Sequence, residues 1–417
     1  MILACIADDL TGATDLCVNL AREGLSVVQV NGVPSGAIDV PAADALVVAL
    51  KSRTIPAEDA VAQALAAHAW LAARGGTRFY FKYCSTFDST AQGNIGPVTE
   101  ALQQALHARV VPATPAYPRN QRTVYRGHLF VGDLLLSDTG MRTHPLTPMT
   151  DANLVRLLAA QTRGAVGLVA AETLDAGPDA VRARLAALAA EGKRHAIVDA
   201  IRDEHLTTAG LAFSDLPLTT GGAGLGVGLA RALRGQAGAG SGVWARPAVP
   251  PRMAWLSGSC SDATRRQVAA ANANCTGLRL DPMALAADPG LASRIAADAV
   301  ARSGNVPVLV YATAAPAEVA AAQAALGAAR AATVVEDAFR GIAGALAAAG
   351  VGAFVVAGGE TAGAVVEALG VRALAIGPEI APGVPWTRAL GERPLWLALK
   401  SGNFGGDDFF ARASATL

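Results

Sequence analysis

The sequence predicts an α/β protein of two domains, each a largely parallel sheet flanked by helices. Three observations carry this. Short apolar runs alternate with Ala- and Leu-rich helical stretches along the chain, the pattern of strands joined by helical crossovers. The length of 417 residues exceeds what one core usually fills, at about 150 residues per domain. A stretch over 219–251, rich in Gly early and Pro late, interrupts the alternation. The domains are therefore placed at 1–235 and 252–417, with a linker at 236–251.

Taken in order, 2–7 is an apolar run stopped by Asp8 and Asp9, and a helical stretch over 14–23 ends at Gly24. A second apolar run over 26–30 completes a β-α-β opening. The pattern repeats with 45–50 as a strand, 57–74 as a helix, 79–82 as a strand, a Gly-containing loop, and a helix over 97–108. Residues 113–150, rich in Pro, Arg, His, Thr and Gly, read as a long ordered loop or a hairpin. Their Tyr117, Arg119, Arg122, Tyr125, Arg126, His128, Arg142 and His144 suit either a binding surface or a subunit contact, which leaves a homodimer open. Strands resume at 166–170 and 196–198, and the glycines at 221–228 read as loop. The second domain shows apolar runs at 254–256, 306–311, 354–356, 373–376 and 395–399.

Composition removes several function classes. Lys plus Arg and Asp plus Glu each number 34, so the net charge of zero offers no field to a nucleic-acid backbone or an anionic membrane. With 52% apolar and 16% charged residues, the chain buries too much to be disordered. No uncharged apolar run reaches the ~20 residues of a membrane span. The N-terminus has no basic region and meets two carboxylates at once, so a signal peptide is not expected and the cytoplasm is the expected location. Cys5, Cys17, Cys84, Cys260 and Cys275 are odd in number and form no C-x-x-C pair, which argues against a disulfide framework or a structural zinc site.

The chain has no G-x-x-x-x-G-K-[ST], no G-x-G-x-x-G in register, no H-E-x-x-H and no G-x-S-x-G. What remains are turns of small polar residues and glycine just after strands, where open parallel sheets bind ligands. In the second half these are Ser257-Gly258-Ser259, Gly358-Gly359-Glu360-Thr361 and Ser401-Gly402-Asn403. Each can present backbone N–H groups to phosphate. One such turn is as readily a simple tight turn, but three together point to a nucleotide. In the first half, Asp8 and Asp9 precede Thr11, Gly12 and a helix. One Asp can cap that helix while the other faces water, or a carboxylate can accept the proton of a substrate hydroxyl. The loop over 82–96 crowds Lys82, Asp88, Ser89 and Asn94. Lys82 suits a substrate carboxylate, and Asp88 and Asn94 suit its hydroxyls. Arg53 could grip a carboxylate through two parallel hydrogen bonds. Cys84 lacks an activating base nearby and reads as a packed thiol.

The segments ADDLTGATD at 7–15, FKYCSTFDSTAQGNIGPV at 81–98, MRTHPLTPMTDANLVR at 141–156, VVAGGETAGAVVEALG at 355–370 and LKSGNFGG at 399–406 resemble the four-carbon acid sugar kinase family, and most of all its 3-oxo-tetronate branch. The resemblance covers nearly the whole chain. It implies an N-terminal domain for the acid sugar, a C-terminal domain for ATP, an active-site cleft between them, and Mg²⁺ bridging the phosphates. It also implies an acceptor site at Asp8, Asp9, Arg53, Lys82, Asp88 and Ser89. The nucleotide would lie against Ser257, Ser259, Gly358, Gly359, Glu360, Thr361 and Gly402; metal ligands are not assigned. Many relatives carry an Arg where this chain has Gln92. The expected reaction is phosphorylation of the C4 hydroxyl of a 3-oxo-tetronate. Threonate or erythronate as acceptor, a non-catalytic sensor of the same ligands, and a dehydrogenase are the alternatives weighed.

Overall fold

The computed structural model describes residues 1–34, 38–144, 146–238, 244–273, 275 and 277–417. The chain divides into two compact units, Met1–Ser241 and Gly242–Leu417. Residues 239–243 of the stretch read as a linker lie outside the described residues.

The first unit contains β1 (Leu3–Ala7), α1 (Leu10–Arg22), β2 (Val27–Asn31), β3 (Ala45–Ala49), α2 (Ala57–Ala72), β4 (Phe79–Lys82), α3 (Ile95–Ala105) and β5 (Val111–Thr114). There follow β6 (Arg122–Tyr125), β7 (His128–Val131), β8 (Leu134–Leu135), α4 (Leu154–Gln161), β9 (Ala165–Val169), α5 (Ala171–Asp175), α6 (Pro178–Ala190), β10 (Lys193–Val198), α7 (Asp203–Phe213), β11 (Leu218–Gly221) and α8 (Ala223–Leu233). Its main strands run β2-β3-β1-β4-β11-β5-β10-β9, every pair parallel. All five residues of β1 are buried, as a strand covered by helices on both faces demands. From β1 the chain builds outward to β2 and β3 on one side and then to β4 on the other. This reversal is a topological switch point, and it places the ligand position at the carboxyl ends of β1, β3 and β4.

Of the stretches without a strand–helix pattern, the one read as an ordered loop or a hairpin takes the hairpin form, and the glycine run read as loop does not stay a loop. Residues 122–135 form an antiparallel hairpin with a short third strand. Its turn uses Arg126 (φ 50°) and Gly127 (φ 73°), the paired left-handed residues that a two-residue hairpin turn requires. The buried Asp199 carboxylate accepts the backbone N–H groups of both, at 2.8 and 2.9 Å. The glycine run at 221–228 is strand end and helix α8, not loop. Its glycines serve close approach: a Cβ on Gly228 would run into the Leu206 carbonyl, and one on Gly210 would run into Gly228. Packing of α8 on α7 therefore outweighs the ~1 kcal/mol helix penalty of each glycine.

The second unit contains β12 (Met253–Ser257), α9 (Asp262–Asn272), β13 (Leu278–Arg279), α10 (Pro282–Ala287), α11 (Leu291–Arg302), β14 (Val308–Tyr311), α12 (Pro316–Leu326) and α13 (Ala328–Ala348). It continues with β15 (Ala353–Ala357), α14 (Gly359–Ala368), β16 (Ala373–Ala381), β17 (Val384–Leu390), β18 (Trp396–Lys400) and α15 (Phe409–Thr416). Strands β13-β14-β12-β15-β18 are parallel, and β17 and β16 extend them antiparallel. One face packs on Trp255, Phe409, Phe410 and the fully buried Trp386. The Trp386 indole N–H donates to the Ala413 carbonyl at 3.2 Å, so its polar edge is satisfied inside the core. Here too the chain builds from β12 outward to β13 and β14 on one side and then to β15 and β18 on the other, and the carboxyl ends of β12, β15 and β18 carry the three glycine turns.

Among the described residues, no helix is long and apolar enough to cross a membrane.

Candidate functional site

In the first unit the switch point gathers five charged residues singled out from sequence, Asp8, Asp9, Arg53, Lys82 and Asp88. Parallel register sets Ala7 beside Ala49 and Lys82, so the residues that follow leave the sheet together. Asp9 caps α1: its backbone is extended and its carboxylate accepts from Gly12 N and, at 3.1 Å, from the Thr11 hydroxyl. Asp8 does not face water. Its carboxylate is held by the Arg53 guanidinium through two parallel bonds, Nε to Oδ2 at 2.9 Å and Nη2 to Oδ1 at 2.8 Å. Arg53 also pairs with Asp9 and stands 3.8 Å from Asp88. The fork expected to grip a substrate carboxylate is thus occupied by Asp8, and Arg53 instead ties three carboxylates together.

The two aspartates differ chemically. Burial pushes the Asp8 carboxyl above the usual range even with Arg53 beside it. Burial acts the same way on Asp9, but the Arg53 and Lys82 cations and the bonds from Gly12 and Thr11 outweigh it and hold that carboxyl below. Asp9 is also the more accessible side chain, 25% exposed against 8% for Asp8. Asp9 therefore stays ionised and reachable.

Lys82 ends β4 and is 3% exposed. A Cβ on Gly12 would strike its Nζ, so the glycine makes room for the ammonium. That ammonium lies beside the two aspartates and lowers both carboxyls electrostatically.

The rest of the 82–96 loop braces the site. Asp88 accepts the Thr86 hydroxyl at 2.5 Å. Ser89 is 2% exposed, takes a bond from Gln161 Nε2 at 2.8 Å, and is covered by Gly93. It therefore supports the loop rather than facing a ligand. Gln161 fastens the same loop at the Thr90 carbonyl and at Gly96 N. Asn94, read from sequence as a hydroxyl contact, donates to the carbonyls of Ser52 at 2.7 Å and Ile55 at 2.8 Å, which fixes the turn bearing Arg53. Burial pushes the Cys84 thiol up to about 12, consistent with a packed, unreactive group.

In the second unit the three turns meet one another. Gly258 N and Ser259 N donate to the Ala357 carbonyl at 3.0 and 3.1 Å, and Gly358 N donates to the Lys400 carbonyl at 2.9 Å. Gly358 has φ 120°, a conformation reserved for glycine, and starts α14. Gly359 and Glu360 are exposed in the first turn of that helix, while Thr361 is buried against Gly258. Ser259 and Gly402 are partly open and close together. Ser257 is different: it is wholly buried and its hydroxyl bonds Thr313 at 2.8 Å, so it ties β12 to the chain after β14 and is closed to a nucleotide. Sequence reading missed Lys400, Thr264 and Gln267. Gln267 Nε2 lies 3.0 Å from the carbonyls of Phe404, Gly405 and Gly406 and holds the loop after β18. Among the described residues, no group of three or more His, Cys, Asp or Glu is placed to hold a metal ion.

Each unit thus carries one cluster at the carboxyl ends of its central strands, charged side chains in the first and glycine turns in the second. The same division into two units is found by comparison: residues 3–229 match the family of the sugar-binding N-terminal domain, and residues 254–410 that of the nucleotide-binding C-terminal domain. A 3-oxo-tetronate kinase of Cupriavidus necator is 54% identical, over 99% of this chain and 96% of that protein. One of Burkholderia multivorans is 52% identical, over 100% and 97%. A solved structure from Salmonella typhimurium LT2 superposes with a TM-score of 0.87 at 45% identity, covering 99% of both chains. The chain belongs to the four-carbon acid sugar kinase family.

Proposed function

We propose that the protein transfers the γ-phosphoryl group of ATP to the C4 hydroxyl of a 3-oxo-tetronate. The observation that carries this reading is the buried Lys82 ammonium beside Asp8, Asp9 and Arg53. A small acid offers its carboxylate to Lys82, and its hydroxyl end meets a carboxylate that is ionised and accessible. The names of the relatives support the four-carbon 3-oxo acid as that substrate.

Asp9 takes the proton of the C4 hydroxyl as the phosphoryl group arrives. Asp8 is the counter-charge that orients Arg53, and Arg53 in turn sets Asp9 and Asp88. A loose phosphoryl-transfer transition state asks mainly for positioning and for neutralised charge, which such a fixed cluster supplies. The nucleotide lies on the turns at Ser259, Gly358 to Thr361 and Gly402, where backbone N–H groups and the start of α14 favour phosphate. Mg²⁺ would supply neutralisation of phosphate charge; with no group of three or more His, Cys, Asp or Glu placed for a metal among the described residues, it would be held chiefly by the nucleotide itself.

A coupled assay of ADP release with a panel of four-carbon acids tests the reading. The expected result is ATP consumption that depends on the 3-oxo acid, with phosphate on C4 of the product. Equal consumption without any acid, or binding of both ligands with no phosphorylated product, contradicts it.

A further inference from the structure

Lys400 closes β18 and is 0% exposed. Its ammonium donates three hydrogen bonds, to Thr264 Oγ1 at 2.9 Å, to the Gly402 carbonyl at 3.0 Å and to the Ser401 carbonyl at 3.1 Å. Thr264, in the first turn of α9, bonds the same Gly402 carbonyl at 2.7 Å, and so does Ser261, the cap of that helix. The Gly402 carbonyl is thus drawn onto three donors from two different turns. A peptide whose carbonyl is pinned on one side presents its N–H on the other. From α15 the Phe409 ring faces the ammonium, with Nζ 5.7 Å from the ring centre. The groups around Nζ on α9, the 401–402 turn and α15 are therefore a hydroxyl, two carbonyls and an aromatic face, none of which titrates near neutrality.

We propose that Lys400 is the buried cation of the nucleotide site: as an ammonium it locks the Ser401–Gly402 turn to Ser261 and Thr264 and places a positive charge beneath the phosphate position. This rests on the reading that the second unit takes the nucleotide. Burial without a counter-charge brings Lys400 down to about 7, so near neutral pH the side chain is divided between its two forms. A polyanion over the turn stabilises the ammonium, and nucleotide binding above pH 7 then draws a proton from solvent onto Nζ.

The test is calorimetric titration of ADP with Mg²⁺ into the full chain at pH 8, in buffers of differing ionisation enthalpy. With Lys400 near 7, roughly nine-tenths of it is neutral at that pH, so uptake approaches ~0.8 proton per ADP. The nucleotide's own phosphates, ionising near ~6, add little. Lys400→Met is expected to abolish the uptake and, near pH 6.5, to weaken ADP ~10- to 100-fold, the scale of lost charge-assisted bonds. Thr264→Val, which keeps the cation and removes the link, is expected to weaken ADP while the uptake persists, and it decides the matter should the Met variant fold poorly. Binding of ADP without proton uptake, or unchanged affinity in Lys400→Met, overturns the role of Lys400 alone. Failure of ADP to bind the parent chain overturns the nucleotide reading together with it.

Discussion

Replacing Arg53 by Met tests the electrostatic centre of the first unit. The guanidinium holds Asp8 by bonds of 2.8 and 2.9 Å, with the two side chains 22% and 8% exposed. Removing one partner of a buried pair typically costs ~3–5 kcal/mol, and the partial exposure of Arg53 favours the lower end, ~3 kcal/mol. For a unit of this size that corresponds to a fall in Tm of roughly 6–12 °C. The sign of the pH dependence is fixed. The Asp8 carboxyl already lies above its ordinary value, and without Arg53 it rises further, so the folded variant binds more protons than the unfolded chain. Its stability deficit is therefore largest above neutrality and shrinks as pH falls through the raised value, by at most ~1.4 kcal/mol per pH unit. Thermal unfolding at about pH 8 and about pH 5.5, repeated with Asp8→Asn in the Arg53→Met background, measures this. The double variant is expected to recover most of the loss, because the unpaired buried charge is gone. A Tm at about pH 8 within 1–2 °C of the parent, or no recovery in the double variant, refutes the reasoning.

Asp9→Asn keeps an oxygen to cap α1 but loses the base and the charge paired with Arg53, so kcat is expected to fall ~10²- to 10⁴-fold with a modest loss of Tm and the KM for ATP nearly unchanged; steady-state kinetics beside a melting curve check this. Gly12→Ala places a methyl group against Lys82 Nζ and the Asp9 carboxylate, so the KM for the acid sugar should rise ~10-fold, as initial rates at varied acid will show, with a loss of stability of at most ~1–3 kcal/mol, offset in part by the helix preference for Ala. Lys400 is brought below its ordinary value by burial, so between about pH 7 and about pH 10 the unfolded chain binds more protons and the parent gains stability as pH rises. Lys400→Met lacks that slope, so its Tm measured against the parent's is expected to be highest near pH 6–7 and lowest near pH 10.

The strand-end turns were legible because buried parallel strands read as unbroken apolar runs, and Asp8, Arg53 and Lys82 stand where three of those runs stop. Their partnerships were not, since an Arg that could hold a ligand equally holds Asp8, and register alone decides. Asn94 and Ser89 illustrate the same limit: polar side chains in a loop can serve the loop's own backbone, and only the fold shows that Ser52, Ile55 and Gln161 are within reach. Ser257 differs from Ser259 only in pointing to Thr313 from inside the sheet. The glycines of α8 read as loop because helix propensity carries no record of how closely α7 approaches. Lys400 ends its strand as Lys82 ends β4, and that parallel was the available signal for it. The antiparallel pair β16 and β17 was hidden because Gly377-Pro378 reads as the end of the run at 373–376, whereas β16 continues through it to Ala381.

The account assigns the acid sugar to the first unit and the nucleotide to the second, and hydrogen exchange read by mass spectrometry with each ligand alone tests that most directly. The 3-oxo acid is expected to slow exchange over 8–12, 52–55 and 82–94, and ADP over 258–264, 358–361 and 400–405. Protection of the first set by ADP, or of the second by the acid, contradicts it.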